Sequence, residues 1–75
     1  MRQFDITISR PEHVGMLANI TNRYPFTITL RQGHYMVDGK SLLGICSLEL
    51  AKGILLEAWT DHCEELARDL HPLLD

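Results

Sequence analysis

The chain predicts an α+β fold, a layer of helices on an antiparallel sheet, with elements in the order β-α-β-β-α-β-α. Two observations carry this. Apolar residues switch repeatedly between a period of two and a period near 3.6, and the segments do not follow the regular strand-helix-strand alternation of a parallel sheet.

Phe4, Ile6 and Ile8 alternate with Asp5, Thr7 and Ser9, as in a strand with one buried face. Arg10-Pro11 ends it, because proline lacks a ladder donor and restricts the residue before it. Val14, Leu17, Ile20, Thr21 and Tyr24 then fall on one side of a helix that Pro25 stops. Phe26, Ile28 and Leu30 alternate in a second strand, Gln32-Gly33 supplies a tight turn, and His34 to Asp38 form a third strand that buries Tyr35 and Val37. Ser41 suits the N-cap of a short helix from Leu42 to Leu48, since its hydroxyl accepts an otherwise orphan amide hydrogen. Gly53 closes the connection to a fourth strand, Ile54 to Trp59. Asp61 and Glu64 approximate a capping box, after which Cys63, Leu66, Ala67, Leu70, Leu73 and Leu74 form a stripe, with Pro72 late in the helix.

The 75 residues suffice for one domain, 1–75, near the size at which a single core is enough. Apolar residues at 45% and charged residues at 23% are too hydrophobic for a disordered chain, so unaided folding is expected. Net charge is -3, and the seven Lys and Arg are scattered, which argues against direct nucleic-acid binding. No apolar run approaches the roughly 20 residues of a membrane helix and no leader is evident near Met1, so a cytoplasmic location without membrane insertion is expected. Cys46 and Cys63 do not form the pattern of a stapled scaffold and are expected as reduced thiols. Together with His62 and His13 they lack the short repeated spacing of zinc ligands, so neither metal nor cofactor is expected.

The most informative tract is Val37 to Gly53. Within it, Lys40-Ser41-Leu42-Leu43-Gly44-Ile45-Cys46-Ser47-Leu48 resembles, position by position, the Lys-Ser-Ile-Met-Gly-Val-Met-Ser-Leu segment of HPr, the phosphocarrier of the bacterial sugar phosphotransferase system. The resemblance runs without a gap from Arg23 to Gly53 and is one of pattern elsewhere. It implies the HPr fold, an open-faced sandwich in which three helices cover one face of a four-stranded antiparallel sheet. It also implies protein partners of the phosphotransferase or catabolite-regulation type, with an HPr kinase as one candidate.

Upstream of Arg23 the chain departs from the family. HPr carries phosphate on a histidine in a Gly-Leu/Ile-His-x-Arg-Pro motif, whereas this chain reads Ser9-Arg10-Pro11-Glu12-His13-Val14-Gly15-Met16-Leu17, with a shortened connection. Aligned from the first strand, Gly15 falls at the histidine position; aligned backward from Tyr24, Arg10 does. A phosphohistidine is a doubly charged adduct stabilised by helix-terminal amides and a nearby arginine. His13 is the nearest substitute, but no arginine follows it within the helix at a spacing to assist it, and its plainer role is that of a polar residue near a helix start.

Ser41 matches the serine that a dedicated kinase phosphorylates in the family, while serving equally well as a simple N-cap. Lys40 is a candidate counter-ion for a phosphate there. Leu42, Leu43 and Cys46 match positions that HPr offers to partner proteins. Leu42 and Leu43 are adjacent, so one is expected to be exposed, and with Met16 and Leu17 they define a candidate partner-binding patch. The resulting expectation is a regulatory or protein-binding relative of HPr, reminiscent of its catabolite-repression paralogue. The alternative is an active carrier using His13.

Overall fold

The computed structural model describes residues Met1–Asp75. Strands β1 (Arg2–Thr7), β2 (Ile28–Gln32), β3 (Tyr35–Asp38) and β4 (Gly53–Ala58) form one antiparallel sheet in the order β1-β4-β2-β3. Helices α1 (Glu12–Thr21), α2 (Leu42–Cys46) and α3 (Glu64–Leu70) provide the second layer, and a 3-10 turn at His71–Leu73 follows α3. The order is the expected β-α-β-β-α-β-α.

Strand parity builds the core. Ile6, Ile28, Leu30, Ile54, Leu56 and Ala58 point toward the helices and meet Leu17, Ile20, Ile45, Leu66 and Leu70 in one buried cluster. The opposite face of the sheet is polar, with Glu57 at its centre. Although nearly covered by its neighbours, the Glu57 carboxylate is fully partnered: it accepts from Arg31 Nε at 2.8 Å, Thr29 Oγ1 at 3.1 Å and Gln3 Nε2 at 3.2 Å. The bond from Arg31 is the leading cause of its lowered pKa, with the donors from Gln3 and Thr29 adding to it.

Several element ends differ from expectation. Helix α1 stops at Thr21 rather than at Pro25, because two side chains turn the chain first: Asn22 Nδ2 donates to Ala18 O at 2.8 Å and Lys40 O at 3.0 Å, and Thr21 Oγ1 donates to Gly39 O at 2.7 Å. The hairpin turn is Gly33-His34, with Gly33 at φ 60, so Gln32 belongs to β2. Tyr35 is not buried but 65% exposed. It lies on the outermost strand beside the turn, whereas α2 reaches only as far as Val37, which is half-buried.

Gly53 is the first residue of β4, paired with Thr7, and Trp59 lies just past the strand end. Asp61 does not cap α3. The N-cap position falls on Cys63 without a side-chain bond, and the Asp61 carboxylate lies 3.8 Å from the N-terminal amine. Cys63, Leu66 and Leu70 are buried as expected, Ala67 is half-buried, and Leu74 is exposed, since the chain leaves the 3-10 turn in an extended conformation there, φ -68 and ψ 141.

Candidate docking surface around the second helix

Ser41 occupies the N-cap of α2 in an extended conformation, φ -88 and ψ 117, and its Oγ accepts from Gly44 N–H at 3.1 Å. The helix is shorter than the sequence suggested, ending at Cys46 with Ser47 as its C-cap: the Ser47 N–H is shared between the Leu43 and Gly44 carbonyls at 3.2 Å, and its Oγ donates to Gly44 O at 2.6 Å. Ile45 points into the core and Leu48 follows it there, which anchors this short helix from below.

Both adjacent leucines face solvent. Leu42 is 52% exposed and Leu43 82%, where only one had been expected outside. A five-residue helix has a single buried stripe, and Ile45 fills it. Cys46 is also exposed, and Met16 is 39% exposed on α1, the helix that packs against α2. Leu17 is corrected: it is fully buried against the sheet and contributes to the core, not to an exposed patch. Four of the five patch residues therefore lie on the outer surfaces of two packed helices.

His13 lies in the first turn of α1, half-buried, and its Nδ1 accepts from Ser9 N–H at 3.4 Å. No side chain donates to the ring, and the Arg10 side chain makes neither an ion pair nor a hydrogen bond with it. The Lys40 ammonium is turned away from the role of counter-ion at Ser41, because it donates to the carbonyl of Tyr24. No three His, Cys, Asp or Glu side chains gather as a metal site, and no helix is long and apolar enough to cross a membrane.

Two polar ties that hold the helices and loops around this surface could not be read from the sequence. Gln32, buried at the end of β2, clasps the loop after α2: Nε2 donates to Glu49 O at 2.9 Å while Oε1 accepts from Glu49 N–H at 2.7 Å. This loop contains Ala51 at φ 65, held in the left-handed region while its N–H donates to Ile8 O at 2.8 Å. The inward parity shared with Ile28 and Leu30 was the available signal for Gln32. Tyr24 and Asp69 form the other tie, with the Tyr24 hydroxyl donating to the carboxylate and Arg23 Nη1 adding a bond at 3.2 Å. Burial first, then the bond to Asp69, pushes the Tyr24 pKa up to about 12. Forty-five residues separate that pair, so no local pattern announces it.

Four antiparallel strands in the order β1-β4-β2-β3, with all helices in one layer, define an open-faced α+β sandwich. It is the fold of HPr. The chain superposes on HPr-C-His from Thermoanaerobacter tengcongensis with a TM-score of 0.80 at 21% identity, covering 99% of this chain and 91% of that one. On the phosphocarrier protein HPr from Bacillus anthracis str. Ames the TM-score is 0.76 at 18% identity, covering 99% and 96%. No family model and no curated protein matches the sequence.

Proposed function

We propose that this chain is a divergent HPr-like protein, related to the phosphotransferase system, that works as a non-catalytic regulatory or protein-binding module through the Ser41 face of α2. The observation that carries this reading is the exposure of Leu42, Leu43 and Cys46 immediately after a capping serine, within a tract that resembles the partner-binding segment of HPr. Exposed leucines desolvate at little cost and supply the apolar centre that a protein interface needs. The carrier motif is missing, so the surface survives without its usual nucleophile. The partners are proteins of the phosphotransferase or catabolite-regulation type, an HPr kinase among them, and the setting is the cytoplasm.

Phosphate on Ser41 adds about -1.5 to -2 charge beside the first amides of α2 and alters what the leucines can dock against. A second reading makes His13 a phosphoryl acceptor. Its place in the first turn of α1 favours this, and the lack of any donor or arginine on the ring counts against it.

One experiment separates the two. The protein is incubated with phosphoenolpyruvate and enzyme I, and separately with ATP and an HPr kinase, and the modified residue is mapped by mass spectrometry beside an HPr control. A serine adduct at Ser41, with no acid-labile adduct at His13, is expected. Labelling that disappears in His13→Ala overturns the regulatory reading in favour of a carrier, and an unmodified chain beside a labelled control removes Ser41 as a kinase target.

A further inference from the structure

The two edges of the sheet are treated differently. From Asp5 to Thr7 the β1 edge is closed by the chain itself: Leu74 bridges Ile6, Asp75 N–H donates to Asp5 O at 3.0 Å, and Thr7 Oγ1 donates to the Asp75 carboxylate. The β3 edge has no such cover. It carries no lysine, no proline and no bulge, and shortness and the single charge of Asp38 are its protection.

The register fixes which backbone groups face outward. Gly39 N–H donates to Ile28 O at 2.7 Å, so Gly39 and Ile28 form a hydrogen-bonded pair. Alternation along an antiparallel ladder then makes Val37–Leu30 and Tyr35–Gln32 hydrogen-bonded pairs as well, and turns the N–H and C=O of Met36 and the N–H of Asp38 away from β2. The side chains of Tyr35 and Met36 are 65% and 56% exposed there, a concentration of large apolar surface on a strand of four residues.

This strand is complementary to itself. We propose that β3 is the interface for a second copy of this chain, two β3 strands pairing antiparallel about a two-fold axis through Met36. In that register the two Met36 residues exchange both backbone hydrogen bonds, and Asp38 N–H of each copy meets the His34 carbonyl of the other. The side chains match too: each His34 imidazole stands opposite the Asp38 carboxylate of the second copy, Met36 packs on Met36, and Tyr35 lies opposite Val37. Asp38 retains an oxygen for this pairing, since only Oδ1 is bound to Lys40 N–H, at 2.9 Å. The axis runs perpendicular to the sheet, so eight strands become continuous and both α2 helices, which pack beside β3, flank the seam on one side. A partner strand of other sequence gains the backbone bonds but not the paired His34–Asp38 contacts, which is why the second copy is the occupant that fits.

Sedimentation equilibrium from about 10 μM to about 1 mM, a range suited to a small interface, tests this. The average mass is expected to rise from 8.6 kDa toward twice that with concentration. His34→Asp, which sets carboxylates opposite each other, and Met36→Lys, which sets two ammonium groups together, are each expected to weaken association at least tenfold, while His34→Lys retains or tightens it. Both positions are exposed, and circular dichroism of the three variants confirms the fold. Slower exchange of the Met36 amide at high concentration is the accompanying local signature. A wild-type chain that stays monomeric throughout, or a dimer indifferent to both His34→Asp and Met36→Lys, overturns the proposal.

Discussion

The Thr21 hydroxyl, completely buried, donates to Gly39 O at 2.7 Å and so fastens the end of α1 to the turn that leads into α2. Helical spacing placed Thr21 on the inner face, but its partner is eighteen residues away and could not be read from the sequence. Thr21→Val keeps the shape and leaves a buried carbonyl short of a donor, so chemical denaturation is expected to report a loss of about 1–3 kcal/mol. Gly39 admits no side chain: an added Cβ would lie 2.7 Å from Ile28 Cγ2 and 2.9 Å from Ile28 O, and Gly39→Ala is expected to cost about 1–3 kcal/mol by the same measurement. At the surface, Ser41→Ala is expected to cost about 1 kcal/mol by losing the cap, with Ser41→Asp more stable than Ser41→Ala in thermal melts. Leu43→Ala, at an 82% exposed position, should change stability by less than about 0.5 kcal/mol while weakening any partner that uses this face. Leu17 illustrates the limit of reading a site residue by residue. Its helical phase marked it as core, its sequence position suggested the patch, and the sheet beneath α1 claims it.

Among the elements, strand and helix types were legible because the apolar period changes where they meet. The ends were less so, since Asn22, Gln32 and Ser47 stop or extend elements through bonds that no period encodes. The turn that follows α1 is joined to the last turn of α3 by Tyr24 and Asp69, and this tie is sensitive to pH at both extremes. In the folded chain the Tyr24 hydroxyl keeps its proton up to about 12, while a tyrosine in the unfolded chain ionises near 10.0. The contribution is therefore complete below pH 10.0 and is lost as pH rises toward about 12. Asp69 behaves oppositely: the bond from Tyr24 leads, and Arg23 assists, in holding its carboxyl below the ordinary 3.8, so that part is present above 3.8 and is lost as pH falls through the depressed value. The stability difference between the native chain and Tyr24→Phe, followed by urea denaturation, should be flat from about pH 5 to about pH 9 and shrink outside it. A difference that grows above pH 10 would contradict the assignment.

At the scale of the whole molecule, one cluster of 16 buried residues draws on β1, β2, β4, the three helices and the segments between them, while β3 only lays half-buried Val37 against it. A chain this small has little stability in reserve, so Leu66→Ala, at a fully buried site, is expected to remove about 2–5 kcal/mol of a total near the low end of about 5–15. The melting transition should fall steeply yet stay single, because no second core exists to melt apart from the first. The sheet order itself governs the sequence of events by which the molecule is made. Strand β4 lies between β1 and β2, pairing Arg2 with Ala58 on one side and Ile28 with the same Ala58 on the other. On a chain emerging from the ribosome, β1 therefore waits with an apolar face and no neighbour until nearly sixty residues are present, and only the β2–β3 hairpin can close beforehand. The last strand added to the sheet is its middle, so assembly is completed from the inside and every earlier intermediate lacks the piece that joins its two halves.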